Sequence, residues 1–279
     1  MLAETLDLAF KPVANANPKR LSAEQIAFYN REGYLTPFDL FSADEADANR
    51  RYFDSLLDQV ADRGAYSINC YQARCRGIWD LCNEPRILDL VEDLVGPNIV
   101  CWASHFFCKL PHDPKVVPWH QDAAYWKLSP ARTVTVWLAI DDADEANSAM
   151  RFIPGTHDKG HLKQNEIDKV EGGSVLHLET ANAETMGKPV SNNLSAGQVS
   201  LHADMLVHGS KPNSSDRRRT GLTIRYCPPE VDFVDDRWAA SVEPIICRGV
   251  DTTGKWHHHD RPASDDITED KGPQNIGGN

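Results

Sequence analysis

"PWHQDAAYWKLSPARTVTVWLAIDD", residues 118 to 142, carries two patterns that together set the reading of the chain. Its second half alternates. Val134, Val136, Leu138 and Ile140 fall on one face of an extended strand, and Thr133, Thr135, Trp137 and Ala139 fall on the other. Its first half sets His120 and Asp122 two residues apart, so an extended strand would turn both side chains to one side. An imidazole beside a carboxylate is two-thirds of a metal site. A second histidine from elsewhere would complete the facial set of non-heme iron(II) oxygenases. On this run alone, a hydrogen-bonded surface pair explains the two residues equally well.

Working outward, the residues before 97 read as helical. "LSAEQIAFYNREGY" opens with Ser22 and has Gln25 three positions on, a capping box. "SADEADANRRYFDSLLDQVADRG" repeats the device with Ser42 and Glu45, and Gly64 is placed to close it. "NEPRILDLVEDLVG" has Pro85 near its start, Gly96 past its end, and Ile87, Leu88, Val91, Leu94 and Val95 in one helical stripe. From residue 97 the period changes to short β-rich runs such as "NIVCWASHFFCKL", "GQVSLHADMLVHGS" and "RRTGLTIRYC", separated by turn residues. Strands following helices without regular alternation indicate an α+β chain, or a β-sandwich with helices packed outside. One domain over residues 1–279 is expected. It has a helical part at about 20–96, a strand core at 97–250, a lid-like insertion at about 160–197 and a polar, fraying tail at 251–279.

Composition narrows the function. The chain has 279 residues and a formal charge of −12, from 41 acidic against 29 basic residues. That argues against nucleic acid or an anionic membrane surface as the main partner. No apolar run approaches the roughly 18 residues of a membrane-spanning helix. The seven cysteines lack zinc-finger spacing, and the first residues lack a signal-peptide pattern. A cytoplasmic protein with reduced thiols is expected, acting on a small molecule. Its oligomeric state is left open.

Several histidines could complete the metal set. His157 lies in "IPGTH", a Pro-Gly turn expected at the surface. His257 to His259 lie in the polar tail, and His202 is expected as a satisfied core or rim residue. His208 is better placed, because it ends an apolar strand and Arg219 opens the next strand eleven residues later. A buried guanidinium fork suits a carboxylate-bearing cosubstrate. Arg217 and Arg218 are expected in a solvated turn. Arg225 has the strand parity of Arg219, so both would face inward, and a buried arginine needs an anion.

With "WHQDAAYW", "NSAMRFIPGTH", "HGS" and Arg219 in this order, the chain resembles the phytanoyl-CoA dioxygenase (PhyH) family of Fe(II)/2-oxoglutarate-dependent oxygenases over roughly residues 20 to 230. The resemblance implies a mainly β fold with N-terminal helices around a double-stranded β-helix, a cupin-like jelly roll. It implies iron(II) on His120, Asp122 and His208, with 2-oxoglutarate and O2 as cosubstrates. Arg219 with Ser210 would bind the distal carboxylate of 2-oxoglutarate, and Trp126, Thr135 and Trp137 would line its pocket. Arg225, Lys109 and Tyr125 are candidate substrate contacts. The implied reaction is hydroxylation of an aliphatic carbon in a small metabolite, with 2-oxoglutarate going to succinate and CO2. A metal-dependent hydrolase on the same His/Asp/His set and a non-catalytic ligand-binding jelly roll are the alternatives.

Overall fold

The computed structural model describes residues 6–126, 128–167, 173–234 and 242–267. Four helices come early: α1 (Ala23–Glu32), α2 (Ala43–Gln59), α3 (Arg76–Cys82) and α4 (Pro85–Val95). The strands are β1 (Tyr34–Asp39), β2 (Ile99–Lys109), β3 (Val117–His120), β4 (Leu128–Ser129), β5 (Val134–Ala139), β6 (Arg151–Phe152) and β7 (Gln164–Glu166). They continue with β8 (Leu178–Thr180), β9 (Val190–Ser191), β10 (Gln198–Ala203), β11 (His208–Ser210), β12 (Arg219–Cys227), β13 (Asp232–Phe233) and β14 (Ile245–Arg248).

Local chemistry explains the helix ends. Ser22 and Ser42 each form the full reciprocal capping box, with Gln25 and Glu45. Gly33 closes α1 in the left-handed region, at φ +86°. Gly64 does not close α2. The helix stops at Gln59, and Gly64 sits in the turn beyond. α3 has no side-chain cap at its start, so capping gives no signal for it. β1 also falls inside the stretch expected to be helical, where it pairs with β10 along the edge of the main sheet.

Two antiparallel sheets make the jelly roll. The larger runs β1-β10-β5-β12-β2-β14 and the smaller runs β3-β11-β6-β9. On the larger sheet's outer face, Val134, Val136, Leu138, Leu201, Leu222 and Ile224 form one core with Phe53, Leu56, Ile87 and Val91 of the helices. Burying each such side chain contributes roughly 1.5–3 kcal/mol. On the same strands, the alternate positions Thr135, Trp137, Thr223, Arg225 and His202 lie in register with one another on the inner face. The aliphatic alternation seen in residues 132–140 is therefore the helix-facing side, and the other parity belongs to the barrel interior.

Three peripheral expectations change. The tail is packed as far as residue 267: Trp256 and Ile267 are buried, and Asp265 bridges to Cys75. Hydrogen bonds from Arg63, Arg76 and Tyr52 and the Arg261–Asp80 ion pair hold it along with those two apolar residues. The stretch 160–197 contains a hairpin of β7 and β8, and its β9 extends the smaller sheet. His157 is fully buried, not at the surface. It bonds to the Asn30 carbonyl at 3.1 Å and meets the Phe10 ring edge-on.

Gly221 is needed where β12 passes beneath Trp137. A Cβ there would stand 2.0–2.5 Å from three indole atoms. Gly221→Ala should therefore lower stability by about 1–3 kcal/mol through overpacking. Urea unfolding monitored by tryptophan fluorescence checks this, and an unchanged midpoint would mean the indole has room to move.

Candidate metal centre and cosubstrate pocket

His120 ends β3, and the strand stops there. Asp122 opens a short 3-10 turn, so the two do not share one extended strand. Their side chains converge even so, because the spacer Gln121 is fully buried and anchored. Its Nε2 donates to the carbonyls of Met205 (2.8 Å) and Gly160 (3.0 Å), and its Oε1 accepts from Leu162 N (2.8 Å). Sequence patterning gives no hint of this role, since a glutamine between two candidate ligands reads as a mere spacer. His208 opens β11 directly across from His120 in the ladder between β11 and β3.

The ligand atoms of His120, Asp122 and His208 lie within 4.8 Å of one another, and all three residues are buried. Each histidine places Nδ1 against the backbone carbonyl two residues earlier, Pro118 at 2.8 Å and Leu206 at 2.9 Å. A carbonyl only accepts, so Nδ1 carries the proton and Nε2 presents a lone pair. Those two nitrogens face Asp122 Oδ1 at 3.5 and 3.9 Å. Three electron-rich atoms converging in a buried space repel one another unless a cation lies between them. This donor set fits a divalent transition metal with imidazole and carboxylate ligands.

Asp122 is held from its other side as well. Oδ2 accepts from Thr135 Oγ1 at 3.4 Å and has His202 Nε2 at 3.7 Å, just beyond hydrogen-bond reach. Burial alone would raise its pKa, but the imidazoles of His208, His120 and His202 packed around it hold the carboxyl well below its usual range. Burial pushes His208 well down, and the neighbouring His120 adds to that. His202, expected to be a satisfied core or rim histidine, instead has no hydrogen bond on either ring nitrogen and lies tilted against His208, with centroids 4.7 Å apart.

A cavity between the sheets is lined by these four groups and by Phe107, Val117, Trp137, Met150, Ser210, Arg219, Thr223 and Arg225. Arg219 is 2% exposed. Its Nε donates to Ser148 O at 3.1 Å and its Nη2 to Ser210 Oγ at 3.3 Å, with the guanidinium near the Trp137 ring. The neighbouring arginines are spent elsewhere. Arg217 pairs with Asp144 at the surface, and Arg218, only partly solvated, is clamped by Asp141 and Asp54.

The other sequence candidates take supporting places outside the cavity lining. Trp126 covers the Arg225 guanidinium at 4.9 Å. Tyr125 turns its ring edge toward His120 and donates to the Leu178 carbonyl at 2.9 Å, tying β8 to the metal centre. Lys109 is fully buried next to Arg219 in register, and its Nζ donates to Lys115 O (2.9 Å), Ser148 Oγ (3.4 Å) and Lys211 O. It braces the loop residue that also holds Arg219.

A jelly roll enclosing a His-x-Asp…His donor set, with a buried arginine eleven residues past the last histidine, defines the iron(II)/2-oxoglutarate-dependent oxygenase class. Residues 29–221 match the family Phytanoyl-CoA dioxygenase (PhyH), and the chain belongs to that family. It is 28% identical to the human peroxisomal phytanoyl-CoA dioxygenase over 242 residues, covering 77% of this chain and 71% of that one. It is 33% identical over 150 residues to a probable alpha-ketoglutarate-dependent hypophosphite dioxygenase of Stutzerimonas stutzeri, covering 52% and 51%. Among solved structures it resembles the non-heme monooxygenase ThoJ in its apo form, with a TM-score of 0.73 and 27% identity over 86% of this chain and 88% of that one. The chain is thus an Fe(II)/2-oxoglutarate-dependent dioxygenase, and neither alternative, hydrolase or inert binding protein, finds support among these relatives.

Burial, reinforced by the Arg219 charge, pushes the Lys109 pKa from its ordinary 10.5 down to about 6. A folded pKa below the unfolded one means that the unfolded chain binds more protons between those values. Stability from this group therefore rises with pH across that window. Lys109→Met should remove the effect, so the stability difference between wild type and variant should change between pH 6.5 and pH 9 in favour of wild type. Equal differences by urea titration at both pH values would contradict the depressed lysine.

Proposed function

We propose that His120 Nε2, Asp122 Oδ1 and His208 Nε2 hold iron(II), and that Arg219 and Ser210 receive the far carboxylate of 2-oxoglutarate. The observation that carries this is the pair of imidazoles whose Nδ1 protons are taken by carbonyls, leaving both Nε2 lone pairs aimed at one carboxylate oxygen. Iron(II) bound there supplies dioxygen activation, coupled to decarboxylation of 2-oxoglutarate to succinate and CO2, and oxygen transfer to an aliphatic carbon. The protein's part is to place and shield. Asp122 stays ionised beneath three imidazoles, the Thr135 hydroxyl holds its second oxygen, and Trp137 and Phe107 keep the walls dry.

The substrate proposed is a small free metabolite. The human relative is named for phytanoyl-CoA and the Stutzerimonas relative for hypophosphite. A coenzyme A ester carries several phosphates, and a chain of charge −12 is a poor background for it. A cytoplasmic site of action is supported by the absence of a disulfide among the described residues. No described helix is long and apolar enough to cross a membrane.

His120→Ala and His208→Ala should each abolish 2-oxoglutarate-dependent succinate release and lose stoichiometric iron(II), with circular dichroism largely unchanged. Full activity with bound iron intact would remove that residue from the ligand set. Arg219→Leu should weaken 2-oxoglutarate binding by about 30-fold to several-thousand-fold, as truncating one member of a buried charge pair costs roughly 2–5 kcal/mol. Iron affinity should change far less. Exposed Arg217→Leu is the control, because Arg218 has structural work with Asp54 and Asp141. A large effect at Arg217 but not at Arg219 would overturn the assignment.

A further inference from the structure

Arg225 lies on the inner face of β12 beside Thr135 of β5, six residues beyond Arg219 and away from that end of the cavity. It is 3% exposed, it lines the cavity, and its Nε and Nη1 have no hydrogen-bond partner. No carboxylate lies within salt-bridge distance of it among the described residues. The carboxylate whose charge acts on it is Asp122, and the oxygens of Asp122 already face three imidazoles and a hydroxyl. The Trp102 and Trp126 rings stand 5.7 and 4.9 Å from its guanidinium carbon. Aromatic rings stabilise the cation but accept no ordinary hydrogen bond, so the donors remain unmet.

Charge counting points the same way. With imidazoles taken as neutral, the cavity lining carries two guanidiniums and one carboxylate, a surplus of one positive charge. Iron(II) adds two charges and dianionic 2-oxoglutarate removes two, so the surplus survives loading of both. A buried, uncompensated charge of that kind is strongly unfavourable, and one more anion relieves it.

We infer that Arg225 is the docking group for an anionic oxygen group, a carboxylate or a phosphorus oxyanion, on the substrate itself. The substrate is then a small molecule carrying about one net negative charge, held by that group beside the metal centre on the side away from Arg219. This rests on the oxygenase reading for the identity of the other two ligands. The unmet donors of Arg225 stand whether or not a metal is bound.

The test uses wild-type protein loaded anaerobically with iron(II) and saturating 2-oxoglutarate. It is titrated by calorimetry with acetate, with methylphosphonate, and with neutral acetamide. Acetate or methylphosphonate should bind at one site and acetamide should not, and the tighter anion tells a planar carboxylate from a tetrahedral oxyanion. Arg225→Gln should weaken the anion by about 30-fold or more. Its 2-oxoglutarate affinity should stay within about threefold of wild type. Arg225→Lys should lie between the two. Three results overturn the proposal: no anion binding by loaded wild type, equal binding by Arg225→Gln, or anion binding only when 2-oxoglutarate is left out. If Arg225→Gln does not fold, the wild-type titrations and Arg225→Lys still decide. Succinate release by wild type is measured separately, so failure of the oxygenase reading is distinguishable from failure at Arg225.

Discussion

Two backbone carbonyls, those of Pro118 and Leu206, set the chemistry of the interior. Each takes the Nδ1 proton of a histidine two residues further on, and each thereby turns an Nε2 lone pair toward Asp122. The same fixing of tautomer by a carbonyl on the far ring nitrogen orients imidazoles at metal sites generally. Much of the surrounding structure keeps those two segments in place. β3 and β11 pair so that His120 and His208 are cross-strand neighbours, and Gln121 bonds to Met205 in the loop leading to β11. Moving either carbonyl would free its ring to flip and would scatter the donor set.

The larger sheet divides its work by parity. One face is aliphatic and is sealed by α1, α2 and α4, whose capping and stripes make them good covers. The other face carries groups that are costly to bury: Arg219, Arg225, His202 and Thr135. The Thr135 hydroxyl is met by Asp122, and on the proposed reading the two guanidiniums are each compensated by a bound anion. Hydrophobic burial on one side of a strand thus supports electrostatic arrangement on the other. β12 shows this most directly, with Leu222 and Ile224 outward and Arg219, Thr223 and Arg225 inward.

Much of this was legible in the sequence. The alternation in residues 132–140 gave the parity, the two capping boxes gave the first two helices, and the His-x-Asp run with His208 and Arg219 gave the centre. What was not legible depended on partners far away in the chain. Gln121 looks like a spacer until Met205 and Gly160 are placed beside it. His157 looks exposed until α1 packs against its turn. β1 reads as part of a helical region because its pairing with β10 is a long-range event that local pattern does not encode. Trp126 was expected beside the cosubstrate, yet it flanks Arg225, since a turn after Asp122 swings it out of the strand's register.

On the proposed reading, an iron(II) ion sits among His120 Nε2, Asp122 and His208 Nε2. Anomalous diffraction at the iron edge, from crystals grown anaerobically with iron(II), tests it most directly. A single strong peak is expected within coordination distance of those three side chains, with both histidines bound through Nε2 and their Nδ1 atoms still on the carbonyls of Pro118 and Leu206. A peak elsewhere, or ligation through Nδ1, would contradict it.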